Sequence, residues 1–335
     1  MSAAAAGVLI AGAGDDLDRA RSFGPPAPAI ILGREMAAMG HGRAFARVAL
    51  AGNPSDGYGG RTLAVVVRDF AAIASAAAAD TDELTPPGPG GDALMRATLQ
   101  RFRTRTGAAA PVALRCETNV PREVGLAGSS AIVIACARAL CDLHEAALER
   151  DELARLALAV EVEDLGIAAG LQDRMVQARE TLVAMDFGGH AVYEEVDPRL
   201  LPPLFVAWHP DAAAPSGLAH GELRERHARG EPEVTAALGR LAELAASARQ
   251  ALVERDHPTF ARCVDASFDE RLRIMPVDPL TEAMVDGARS AGASANSAGS
   301  GGAIVGTLES EDAWPRVREA LERMGASSIR PRTGP

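Results

Sequence analysis

A glycine loop that runs into an apolar stretch constrains this chain more than any other feature of its sequence. The loop is Pro121-Arg-Glu-Val-Gly-Leu-Ala-Gly-Ser-Ser-Ala131, and residues 132–140 after it are almost all apolar. Glycine lets backbone N–H groups approach a ligand closely, and the start of a helix concentrates unpaired N–H donors and the positive end of the helix dipole. On this segment alone two interpretations are open: a phosphate-binding loop, or a turn whose serine caps a helix.

The composition narrows how this chain can handle phosphate. Its 335 residues, 47% of them hydrophobic, suit one large or two medium domains with an ample core. All 34 basic residues other than histidine are arginine, which excludes a Walker A loop, a Schiff-base lysine and a lysine general base. Any phosphate must therefore be held by arginine, backbone N–H groups and metal. The net charge of −11 argues against a nucleic-acid surface, which needs a basic stripe.

The cysteines and the apolar runs bear on location. The four cysteines, at positions 116, 136, 141 and 263, show no CxxC pairing, so neither a zinc site nor a disulfide framework is predicted. Reduced cysteines favour a cytoplasmic location. No apolar run approaches the length of a membrane span. The sequence therefore predicts no membrane partner, and it leaves the oligomeric state open.

The alternation of strand and helix patterns predicts an α+β pair of domains. Residues 1–39 show little periodicity, and we interpret them as an N-terminal extension that is either disordered or the result of a mis-assigned start. Residues 40–200 form the predicted first domain, and residues 201–330 form the second, which begins near Pro202-Pro203. Strands are predicted at 44–51, 61–68, 111–120, 182–186, 204–208 and 303–308, and helices at 92–104, 130–144, 151–164, 234–254, 258–274, 281–292 and from 313.

Three further loops carry residues suited to chemistry. The first, Gly52-Asn-Pro-Ser-Asp56, follows Arg47; Asp56 could accept hydrogen bonds from substrate hydroxyls, while the alternative is ordinary turn chemistry. The second, residues 166–174, presents Asp173 beside Arg174 after a helix rich in acidic residues. A cation next to an aspartate suits a general base, although an exposed helix end followed by a loop is equally compatible with the pattern. The third is the glycine-rich segment 292–302, interpreted as a ligand-closing loop because it leads directly into a strand.

Residues 47–56, 121–131 and 292–303 resemble, in this order, the first motif, the phosphate loop and the glycine-rich third motif of the GHMP kinase superfamily, and within it the glucuronokinase branch. The resemblance extends from residue 43 to the C-terminal region and includes residues 165–174, Met185-Asp-Phe187 and Gly299-Ser-Gly-Gly-Ala303. It implies a two-domain fold, with an N-terminal half like ribosomal protein S5 domain 2 and a ferredoxin-like C-terminal half. It also implies ATP and Mg²⁺ as cofactors.

The resemblance also implies roles for individual residues. Asp173 would be the general base, supported by Arg47, and Mg²⁺ would be held by Ser130 and Glu161, with Glu163 close enough in sequence to compete. Substrate would be bound by Asp56, Arg61, Arg174, Gly299, Ser300 and Gly301. ATP would be bound by Pro121, Gly125, Leu126, Ala127, Gly128, Ser129, Ser130 and Ala131.

The expected activity is ATP-dependent phosphorylation of the anomeric hydroxyl of a sugar acid, D-glucuronate. With lysine absent, Arg61 and Arg174 are the candidate partners of the substrate carboxylate. Gly128 and Asn53-Pro54 depart from the galactokinase pattern, which argues against galactose. Two alternatives remain open: a GHMP kinase for another sugar, such as a heptose phosphate, an arabinose or a galactose-type sugar, and a non-catalytic sugar or nucleotide sensor on the same fold.

Overall fold

The computed structural model describes residues 38–212 and 217–334. Residues 37–335 belong to one compact unit. The predicted N-terminal extension lies outside the described residues except for positions 38 and 39, and the first strand begins at Met39.

The first sheet is built around one long strand. Strand β2 (Arg61–Ala78) pairs with β1 (Met39–Ala51) along its length. Its second half pairs with β4 and its first four residues pair with β5. The sheet is completed by β3 (Glu83–Thr85), β4 (Val112–Thr118), β5 (Leu182–Asp186) and β6 (Val192–Val196), in the order β3-β4-β2-β5-β6 with β1 beside β2. All pairs are antiparallel except β3 with β4.

Four helices pack with this sheet: α1 (Gly91–Thr106), α2 (Gly128–Leu143), α3 (Arg150–Ala159) and α4 (Leu171–Arg179). Helix α2 is the central one, because it is apolar and buried along most of its length. It lies very close to β1: a Cβ atom at Gly42 would stand 2.0 Å from the carbonyl oxygen of Ala135. The glycine therefore permits the contact between backbone and helix that brings the start of α2 to the sheet.

The second sheet is formed from the C-terminal part of the chain. It consists of β7 (Leu204–Trp208), β8 (Asn296–Ser297), β9 (Ala303–Thr307) and β10 (Ser327–Ile329), antiparallel in the order β10-β7-β9-β8. The helices are α5 (Gly217–Ala228), α6 (Pro232–Glu254), α7 (His257–Ile274), α8 (Pro279–Ser290) and α9 (Trp314–Glu322). Asp256 and Asp278 cap α7 and α8 through backbone N–H groups, and a proline follows each cap.

One apolar cluster joins the two sheets. It includes Leu50 and Val65 of the first sheet, Val206 and Val305 of the second, and Phe260 of α7. The predicted boundary at 200/201 falls between β6 and β7, where the chain passes from one sheet to the other. The division into two domains stays a prediction, because the described residues form a single compact unit.

Most predicted elements are present within a few residues, and β5 and β7 have the predicted bounds. One interpretation was wrong: residues 171–174 are the first turn of α4 and not loop, so Asp173 stands on a helix. No element was predicted at residues 217–228, which form α5. Within the described ranges, no helix combines the length and apolar character that crossing a bilayer requires.

Candidate active site

The four motif segments meet around one open cavity of about 780 Å³, a size typical of small-molecule sites. The glycine loop at 121–129 forms one wall, and residues 53–58 form another. Residues 165–170 with Asp173 and Arg174 form a third, and residues 87–91 line a further side. Arg224 and Ser300 also line it.

The glycine loop delivers the N-terminus of α2 to this cavity. Gly125 and Ala127 adopt left-handed backbone conformations, with φ of 83° and 61°, and the helix starts at Gly128. The N–H groups of a first helical turn have no partners inside the helix, and the dipole adds positive potential there. Pro121, Gly125, Leu126, Ala127, Gly128 and Ser129 line the cavity; Ser130 and Ala131 are fully buried behind it.

The glycine-rich loop at 299–302 packs directly against the glycine loop. A Cβ atom at Gly299 would stand 2.2 Å from the carbonyl oxygen of Gly125, and one at Gly125 would stand 2.7 Å from that of Gly301. These glycines are therefore required for close backbone contact. Of the three residues expected to bind substrate here, only Ser300 is among those lining the cavity.

Arg47 connects the candidate base to both loops. The guanidinium is almost fully buried at 4% exposure, and its Nε donates to Asp173 Oδ1 at 2.6 Å. Its Nη1 donates to the carbonyl oxygens of Gly125 at 2.8 Å and Ala298 at 2.7 Å. One side chain thus links the aspartate, the glycine loop and the third motif, which holds the carboxylate in a set orientation.

Glu161 is the acidic residue that reaches the cavity from the 160–164 segment. It lies in a π-helical turn, Val160–Asp164, and its carboxylate is fully buried. Ser129 Oγ donates to Glu161 Oε1 at 2.6 Å, and Arg174 Nε donates to Oε2 at 2.8 Å. Glu163 points elsewhere, to Arg101 on the surface.

The two adjacent serines differ in environment. Ser129 lines the cavity and contacts Glu161, whereas the hydroxyl of Ser130 donates back to the carbonyl oxygen of Ala127 at 3.2 Å and is fully buried. The structure therefore brings Ser129, and not Ser130, together with Glu161. Arg174 is also engaged with Asp173, since its Nη1 lies 3.2 Å from Oδ2.

Asp56 lies near the candidate base, Asp173, and is partly buried at the cavity wall. Its carboxylate packs on Gly170, where an added Cβ would stand 2.3 Å from Oδ2. Burial, and then the nearby charge of Asp173, raise the pKa of Asp56 to about 6. This carboxylate therefore changes protonation close to neutral pH.

Arg61 is not brought to the cavity. Its Nε is paired with Asp186 at 2.6 Å where β2 meets β5, and the side chain is half exposed. Two other arginines near residues 53–58 gave no signal in the sequence. Arg224 lines the cavity from α5, and Arg271 of α7 lies behind Asn53, to whose Oδ1 its Nη1 donates at 2.8 Å.

Comparison with known proteins identifies the family. The model of the GHMP kinases N terminal domain matches residues 93–180. Glucuronokinase 1 of Arabidopsis thaliana is 32% identical over 82% of this chain and 86% of its own length. Probable glucuronokinase 2 of the same plant is 34% identical over 84% of this chain and 87% of its own length.

Solved structures support the same conclusion at the level of the fold. Lactococcus lactis galactokinase superposes with a TM-score of 0.77 at 15% identity, covering 88% of this chain and 94% of that one. L. major mevalonate kinase superposes with a TM-score of 0.73 at 15% identity, covering 90% of this chain and 100% of that one. The predicted α+β GHMP kinase fold is confirmed. The chain belongs to the GHMP kinase family, and it is a sugar kinase of that family.

Proposed function

We propose that this kinase uses ATP to phosphorylate the anomeric hydroxyl of D-glucuronate, giving glucuronate 1-phosphate. The observation that carries the proposal is the placement of Asp173, held by Arg47, in a cavity whose other wall is the N-terminus of α2. The similarity to two proteins named as glucuronokinases supports the choice of sugar acid.

The nucleotide phosphates would lie against the glycine loop, where the N–H groups and dipole of α2 favour negative charge. Mg²⁺ usually binds through one or two carboxylates together with substrate phosphates and water. A buried carboxylate with a hydroxyl 2.6 Å away fits that donor set, so we assign Glu161 and Ser129 to Mg²⁺, with Ser129 in place of Ser130. The metal would offset charge on the transferring phosphoryl group.

Asp173 would accept the proton of the anomeric hydroxyl as the hydroxyl oxygen attacks the γ-phosphorus of ATP. The bond from the γ-phosphorus to the β,γ-bridging oxygen would break, and ADP would leave. The guanidinium groups of Arg47 and Arg174, at 2.6 Å and 3.2 Å, favour the ionised carboxylate that this step requires. Phosphoryl transfer needs positioning and charge stabilisation more than covalent help. The shared contacts of Arg47 supply that positioning, because they tie the base to the loop that would hold ATP.

We further propose a cytoplasmic location. Cys116, Cys136, Cys141 and Cys263 are all free thiols, and unpaired cysteines are typical of a reducing compartment.

The proposal is tested by an ATP-consumption panel over free sugars, uronic acids and sugar phosphates, with wild type and Asp173→Asn. We expect turnover on glucuronate, and in the variant a loss of about 10²–10⁴-fold in kcat with ATP affinity nearly unchanged, because only the proton acceptor is removed. Asp186→Asn, which alters an exposed ion pair with Arg61, is the matched control.

Other outcomes decide between the alternatives. Turnover on mevalonate or homoserine but on no sugar would refute the proposal. Turnover confined to another sugar would reassign the substrate, and ATP binding without turnover on any sugar would indicate a sensor. Equal loss of ATP affinity and turnover in Asp173→Asn would show that the aspartate does not act as the base.

A further inference from the structure

The arginines that line the cavity differ in whether a carboxylate of the protein already pairs with them. Arg47 is paired with Asp173, and Arg174 is paired with Glu161. Arg224 also lines the cavity, but no carboxylate of the described residues lies within ion-pair distance of it. Its charge is therefore available to a ligand.

The fourth arginine that lines the cavity, Arg122, lies on a different wall. Arg122 belongs to the glycine loop, and its Nη2 donates to the carbonyl oxygen of Pro89 at 3.1 Å. On the proposed function, this loop holds the nucleotide phosphates. An anionic group on the other substrate needs a cation near residues 53–58 that faces the cavity without a carboxylate partner. Among the described residues Arg224 meets this condition, since Arg271 lies behind Asn53 and is not a lining residue.

Arg224 approaches this wall through packing between α5 and Tyr58. His227, three residues later on the helix, lies against the Tyr58 ring with centroids 4.6 Å apart. The charge of Arg224 also acts on the Tyr58 hydroxyl, yet burial, the larger effect, raises the pKa of Tyr58 above its ordinary value of 10.0. The phenol therefore stays protonated at neutral pH and can donate to an anion.

Asn53 offers a second donor, and Arg271 determines which of its atoms is offered. Arg271 is only 2% exposed, and the single hydrogen bond of its side chain within the described chain is from Nη1 to Asn53 Oδ1. Its Nε has no partner there. Because Oδ1 is occupied from behind, the amide nitrogen Nδ2 is the Asn53 group left for the cavity, which this residue lines.

We infer that the substrate carboxylate is bound by Arg224 together with the Asn53 amide and the Tyr58 hydroxyl, with Arg271 as the positioning residue behind Asn53. This inference rests on the proposed function and deepens it. All three groups donate hydrogen bonds, and the one full charge matches a single carboxylate. The neighbouring carboxylate of Asp56 is left for neutral hydroxyls of the sugar, which can donate to it.

The test is the ratio of kcat/KM for glucuronate to kcat/KM for glucose, which carries CH₂OH in place of the carboxylate. In Arg224→Gln we expect this ratio to fall roughly 10- to 100-fold, chiefly through KM, as expected for losing hydrogen bonds to a charged group. Arg229→Gln, one residue past the end of α5, paired with Glu231 and outside the lining residues, is the control and keeps the wild-type ratio.

Two further variants test the positioning. Asn53→Asp would turn a donor into a carboxylate facing the substrate, so the ratio falls further than in Arg224→Gln. Arg271→Lys should retain more of the ratio than Arg271→Met, because an ammonium can still donate to Asn53 Oδ1. Melting temperatures establish that each variant is folded.

The failures are distinguishable. Wild type that turns over glucuronate, with the same ratio in Arg224→Gln and Asn53→Asp, would overturn the carboxylate site alone. Wild type that turns over no uronic acid would overturn the proposed function and this inference with it.

Discussion

Replacing Arg47 by methionine is the most informative single perturbation of this site. Methionine keeps much of the aliphatic volume but removes all N–H donors. The substitution removes three hydrogen bonds that the structure shows, to Asp173 Oδ1 and to the carbonyl oxygens of Gly125 and Ala298. Each acceptor is then left in a site that Arg47 shields from water, since its side chain is only 5% exposed.

The magnitude follows from those three bonds. Hydrogen bonds to a charged group contribute about 1.5 kcal/mol or more each, which gives at least ~4 kcal/mol for the set. Removing one partner of a buried ion pair costs about 3–5 kcal/mol by an independent line of reasoning. We therefore expect the free energy of unfolding to fall by about 4 kcal/mol, and kcat to fall as well because Asp173 loses its orientation.

Urea unfolding of wild type and variant measures the first quantity, and ATP turnover measures the second. Arg115→Met is the matched control, because Arg115 lies 2.6 Å from Glu117 but both side chains are more than half exposed. An exposed pair contributes less than about 1 kcal/mol. If Arg47→Met loses no more stability than Arg115→Met, the guanidinium does not hold the three segments together and the reasoning is refuted.

Two further predictions concern the metal and Asp56. Ser129→Ala should raise the Mg²⁺ concentration needed for half-maximal turnover by about 10-fold or more, and by more than Ser130→Ala does; the reverse order would return the metal ligand to Ser130. The folded-state pKa of Asp56, about 6, exceeds its ordinary value of 3.8, so the stability that this carboxyl contributes is present below about pH 4 and lost as the pH rises through 6. The difference in melting temperature between Asp56→Asn and wild type should therefore be more favourable to the variant at pH 8 than at pH 4. An equal difference at both pH values would contradict the raised pKa.

Local pattern was sufficient for the bounds of β5 and β7. The apolar run Leu182–Met185 is closed by Asp186, and the apolar run Leu204–Trp208 stands between Pro203 and His209. Asp173 was assigned to a loop because Gly166 and Gly170 precede it. The helix forms nonetheless, since Met175 and Val176 are buried in the core below it. Tertiary burial here decides what local propensity leaves open.

Which of several candidate residues faces the cavity depends on the tertiary structure, and the spacing of residues in the sequence does not determine it. Ser129 and Ser130 are equivalent in the sequence, and only the rotational position of α2 turns the first toward Glu161. Arg61 was expected to bind the substrate carboxylate, yet its position on β2 pairs it with Asp186. Arg271 meets Asn53 across 218 positions of the chain, which no local pattern can indicate.

The absence of lysine and the arrangement of the motifs are connected at Arg47. Its Nε and Nη1 point in different directions of one rigid plane, and they reach a residue 126 positions away, another 78 away and a third 251 away. An ammonium concentrates its donors on one nitrogen and could not span the same three acceptors. The three motifs that the sequence presents as separate segments are therefore one structural unit, and displacement of the glycine loop is transmitted to the aspartate through a single side chain. The pH dependence of the site is expected from Asp56, whose pKa is about 6.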